Sequence, residues 1–99
     1  MPYVLEAAVE REIGRAFPPE HVDYVKRRLS EQELSLGRSA HPARVHVAVV
    51  WLARGDVGRF DQALDGAARD WRDALVAAGL AHPDWRAVLA QRGIDAHDW

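Results

Sequence analysis

Apolar side chains fall at Leu5, Val9, Ile13 and Ala16 or Phe17, and this three- and four-residue spacing gathers them on one helical face over residues 2–16. Pro2 suits a first helical turn, and the pair Pro18–Pro19 ends that helix and opens the next. The second helix is expected over 19–33, with Val22, Val25 and Leu29 inside and Tyr24 at the margin. The stretch Ser35 to His41 has the composition of a loop.

The segment 42–54 fits two periods. Val45, Val47, Val49 and Trp51 alternate as a strand would, yet the opening proline, the length and Gly55 as a C-terminal stop suit a helix. No other segment offers a strand to pair with it, and an unpaired strand leaves its backbone groups unsatisfied. A helix is therefore expected here, apolar almost all round and hence central. A long fourth helix follows over 57–78, with Asp56 as its cap and Gly79 as its end. Its seam, Val57, Phe60, Leu64, Ala67, Trp71, Ala74 and Ala78, keeps a heptad-like step. The short turn at 54–56 makes helices three and four an antiparallel hairpin. A fifth helix is expected over 83–92, followed by 94–99 as a tail whose order the sequence leaves open. The pattern predicts an all-α bundle of five helices in one domain, residues 1–99.

Composition narrows the chemistry. Ninety-nine residues without a cysteine exclude disulfides, thiol nucleophiles and thiolate metal sites. The net charge of −2 is spread evenly, with seven basic against seven acidic residues in the first fifty and six against eight in the rest. Nucleic-acid binding is thus disfavoured, and its one candidate patch, Lys26, Arg27 and Arg28, has Asp23, Glu31 and Glu33 close by in sequence. The longest apolar run, Val47 to Ala53, is far below the roughly 20 residues of a membrane span. Together with an opening segment that lacks a signal-peptide pattern, this sets the expectation of a cytoplasmic protein.

The five histidines have no metal-binding spacing: His41 and His46 are five apart, and no HExxH or HxH pattern occurs. His41 and His82 each precede a proline at a helix start, which suits a capping or loop role. Ser30, Ser35 and Ser39 sit in no nucleophile elbow, and no glycine cluster could cradle a phosphate. No metal and no cofactor is expected.

Four tryptophans are the more informative feature, because a small domain has limited room for them. Trp51 and Trp71 suit the core of the three–four hairpin, whereas Trp85 and Trp99 are candidates for contact surface. Trp71–Arg72 and Trp85–Arg86 repeat a pairing enriched at interaction hot spots.

The run RVHVAVVWLARGDVGRFDQALDGAARDWRDALVAAGL, residues 44–80, resembles a family of small bacterial helical proteins. There, a helix of the RVHLAxLxLAxGD kind precedes a long helix with DWRDVLxxAGL. The resemblance implies a helix for 42–54 and a helical hairpin after it. That family has no assigned activity, so no functional residue is carried over.

These readings point to a non-enzymatic interaction module that forms a homodimer through an aromatic–aliphatic helix face. The candidate contact residues are Phe60, Trp71, Arg72, Trp85, Arg86 and Trp99. Two alternatives stand beside it: a small metal-dependent or hydrolytic enzyme with a His/Asp site formed across a dimer, and a weak nucleic-acid binder using Lys26, Arg27 and Arg28.

Overall fold

The apolar periodicities resolve into helices throughout the computed structural model, which describes residues 3–99. In chain order these are α1 (Ala7–Ala16), α2 (Pro19–Glu31), α3 (Pro42–Ala53), α4 (Val57–Arg69), α5 (Trp71–Ala78) and α6 (Trp85–Gln91). No strand occurs among the described residues. The ambiguous segment 42–54 is helical and central: α3 packs against α1, α4 and α5, while α2 rests on α1 and α4. Its buried residues, Ala43, Val45, His46, Val47, Ala48, Val49, Val50 and Ala53, leave it no solvent face. His41 caps it, its Nδ1 accepting the Ala43 N–H at 3.0 Å. No helix among the described residues is long and apolar enough to cross a membrane.

Several boundaries differ from the periodic reading, each for a local reason. The first helix begins at Ala7 because residues 3–6 are pinned in an extended path; Pro2 lies outside the described residues. The Tyr3 N–H donates to the Ser30 carbonyl at 2.7 Å, and Ser30 Oγ donates to the Tyr3 carbonyl at 2.7 Å. The Tyr3 hydroxyl accepts from Leu34 N–H at 3.1 Å and donates to its carbonyl at 3.2 Å. These four bonds give the backbone a partner other than a helical turn. The second helix stops at Glu31, not Glu33, and the chain beyond it turns Leu34 and Leu36 into the core.

The expected single helix over 57–78 is two helices, so the bundle has six among the described residues where five were expected. Asp70 is the reason. It is extended (φ −153°, ψ 96°), ends α4, and accepts the Arg72 N–H at 3.1 Å as the cap of α5. An aspartate at such a point offers the backbone a competing hydrogen bond, and the break lets both halves of the seam lie on α3. The fifth expected helix, 83–92, shortens to Trp85–Gln91. The tail, residues 94–99, is in contact with the body: Ile94 and Ala96 are buried, and Ile94 N–H donates to the Leu89 carbonyl at 3.0 Å.

Polar bonds tie the helices laterally. Glu12, buried on α1, accepts the Trp51 indole N–H at 3.1 Å on one oxygen and Arg15 at 3.0 Å on the other. Arg15 also donates to the Arg92 carbonyl at 3.2 Å, and the Arg92 guanidinium lies 5.0 Å over the Trp51 ring. Tyr24 and Arg28 on α2 both reach Asp61 on α4, at 2.8 and 3.5 Å. At the α3–α4 turn Gly55 is left-handed (φ +79°), and a β-carbon there would meet the Ala16 carbonyl oxygen at 2.9 Å. Gly55→Ala should therefore destabilise the fold by at least about 1–2 kcal/mol, read by urea denaturation.

His46 is 2% exposed, packs edge-on to the Tyr3 ring at 5.4 Å, and its Nε2 has no hydrogen-bond partner among the described residues. Burial, with a smaller contribution from His41, pushes its pKa down to about 4. The unfolded chain, with the ordinary value near 6.5, binds the proton first, so stability is complete above pH 6.5 and falls as pH drops toward 4. The loss should be on the order of 3 kcal/mol and should be absent in His46→Leu, compared by urea denaturation across that window.

Candidate functional site

The six residues singled out from sequence divide into three places. Phe60, expected as a contact anchor, is enclosed: it is 0% exposed, between the edges of Phe17 at 5.8 Å and Tyr24 at 6.5 Å. Its position on the heptad seam, which α4 turns onto the core, accounts for the difference.

Trp85, Arg86 and Trp99 form a second group around the start of α3. The Trp85 ring lies between two guanidinium groups, Arg44 at 4.3 Å and Arg86 at 4.2 Å from its centroid. Only 8% of Trp85 remains exposed, so it is a packed side chain and presents little surface to a partner. Arg44 donates from Nε to the Leu80 carbonyl at 3.0 Å, fixing α3 to the end of α5. Arg86 donates to the main-chain oxygens of Ala96 at 3.3 Å and Trp99 at 2.6 Å. The Trp99 ring in turn stacks on His41 at 6.0 Å, nearly parallel at 16°. Burial, and secondarily the like charge of Arg86, holds the Arg44 pKa below that of an ordinary guanidinium. It remains a cation, bonded to a carbonyl and set against an indole face.

Trp71 and Arg72 lead to the third place, where surface is available. The Arg72 guanidinium covers the half-buried Trp71 ring at 4.7 Å. Beside them a shallow cleft of about 330 Å³ runs along α5, lined by Ser39, Arg44, Trp71, Arg72, Leu75, Val76 and Ala81. Its lining is mostly apolar, with two arginines and no acidic side chain. Val76 is 66% exposed. Periodicity does not single it out, because it follows Leu75 directly and stands off the seam of Trp71, Ala74 and Ala78. That same displacement, a valine one step outside the apolar stripe, was the available signal.

The other candidates are placed elsewhere. Lys26 is 3.4 Å from Glu10, Arg27 is 3.6 Å from Glu31, and Arg28 reaches Asp61 at 3.5 Å and Asp65 at 3.6 Å. Each of these cations thus faces a carboxylate of the same chain, leaving little uncompensated charge for a phosphate backbone. Among the described residues no three His, Asp or Glu side chains converge as a metal site within one chain. Comparisons with protein-family models, curated proteins and solved structures found no match.

The separation of packed from presented side chains is measurable. Trp85→Ala should lower unfolding free energy by about 3 kcal/mol or more, as for other enclosed tryptophans. Val76→Ala should change it by no more than about 0.5 kcal/mol.

Proposed function

We propose that this protein is a non-enzymatic interaction module of the cytoplasm that self-associates as a homodimer through the α5 face. The observation that carries the reading is the exposure of Val76 beside Trp71, which lies half-buried under Arg72, in a cleft with a mostly apolar lining. Aromatic residues and arginine are enriched at the centres of protein contacts, where a large rigid ring and a planar cation lose little on being desolvated together. Burying a branched side chain such as Val76 gains on the order of 1.5 kcal/mol per copy. A two-fold dimer would gain it twice.

Light scattering coupled to size-exclusion chromatography, over a dilution series, tests the reading. The expected result is a two-chain mass that falls toward one chain on dilution, with Val76→Asp shifted to the single-chain mass and its circular dichroism unchanged. A single-chain mass for the unmodified protein at every concentration overturns the proposal.

A further inference from the structure

The described residues hold two large hydrophobic side chains that stand exposed, Val76 on α5 and Val4, which is 96% exposed. Val4 belongs to the extended segment 3–6, and that segment is held rigidly. Tyr3 is fixed by its two main-chain bonds with Ser30, by the two bonds of its hydroxyl to Leu34, and by its ring on His46. Leu5 packs against the core. With Tyr3 and Leu5 turned inward, the alternation of an extended chain puts Val4 and Glu6 together on the outward side. Glu6 is exposed, and its carboxylate makes no capping bond at the α1 start and has no partner among the described residues.

The spacing and chemistry of this outward face match those of α5. Val4 and Glu6 are two residues apart on an extended chain, about 6.6 Å. Val76 and Arg72 are four apart on a helix, neighbours on one face at about 6 Å along the axis. Arg72 stacks on Trp71 and has no carboxylate partner among the described residues, and the cleft beside it contains no acidic side chain. An apolar group next to an unpaired anion, on an extended segment tied to the body, is the complement of an apolar group next to an unpaired cation on a helix.

We infer that the occupant of the α5 cleft is the extended segment of a second copy, with Val4 against Val76 and Glu6 against Arg72. This assignment rests on the self-association proposed above. Each copy has one segment and one cleft, so a two-fold arrangement uses both and leaves neither exposed valine in water. The segment is already in its docking conformation, so little ordering opposes the contact.

Charge exchange tests the pairing, with the dimer dissociation constant read by sedimentation or light scattering. Glu6→Arg and Arg72→Glu each set like charges opposite one another, and each should weaken the dimer at least about tenfold. The double variant, which restores the pair in reverse order, should return to within about threefold of the unmodified protein. Both residues are exposed, so thermal unfolding of the monomers should shift only slightly, by the loss of the Arg72–Trp71 contact and of an acidic residue at the α1 start. A dimer indifferent to either single change, or a double variant no tighter than the two losses combined, overturns the segment assignment while leaving self-association standing. A protein that is monomeric throughout overturns both.

Discussion

Everything in this chain is arranged around a helix that cannot face water. From Ala43 to Ala53 the side chains of α3 are apolar on nearly every side, and eight of them are buried. Such a helix has no stable existence at a surface, because leaving even one side wet would expose several valines at once. The remaining helices are therefore coverings: α1, α4 and α5 lie directly on it, and α2 closes over α1 and α4. The small size of the domain sharpens the constraint, since four tryptophans and two phenylalanines must also find places within ninety-nine residues.

The break at Asp70 follows from the same requirement. An unbroken helix over 57–78 would be confined to one axis, whereas the two helices that stand there both pack on α3. Two shorter helices joined at an extended aspartate can each lie along it, at the cost of a few helical hydrogen bonds that the Asp70 carboxylate partly replaces. The short α5 that results keeps Ala74 and Leu75 inside and turns Val76 out. The surface assigned to self-association is thus a by-product of how the centre is covered. A similar economy governs the arginines. Arg44 and Arg86 enclose Trp85, and Arg92 lies over Trp51, so cations supply the polar lid under which large rings are buried.

Much of the fold was legible from periodicity, because helical spacing and proline punctuation are local signals. The cores of all the expected helices fall where the apolar steps put them, and His41 caps α3 as its position before Pro42 suggested. What was hidden depends on contacts distant in sequence. Residues 3–6 have helical spacing but are held extended by Ser30 and Leu34, about thirty residues away. Asp70 reads as one more wet-side residue of a long helix until its neighbours must bend onto α3. The proposed contact surface was legible only in part. The Trp–Arg pairs were visible as pairs, but nothing local distinguishes Trp85, packed between two guanidinium groups, from Trp71, which borders a cleft. Exposure is a property of the assembled bundle, and the lone valines Val4 and Val76 carry no motif.

The uniformity of α3 raises a question of uniqueness as distinct from stability. An all-apolar cylinder gains nearly the same burial at many rotations about its axis and at several slips along it, so hydrophobic packing alone specifies its place weakly. Three polar points break that degeneracy. Arg44 is bonded to the Leu80 carbonyl at one end, Trp51 donates to the buried Glu12 at the other, and the His46 ring meets Tyr3 between them. A turn of the helix by one residue would carry all three away from their partners and leave one oxygen of the buried Glu12 carboxylate without its donor. The apolar majority of α3 drives it inward, and its polar minority determines the single orientation in which it comes to rest.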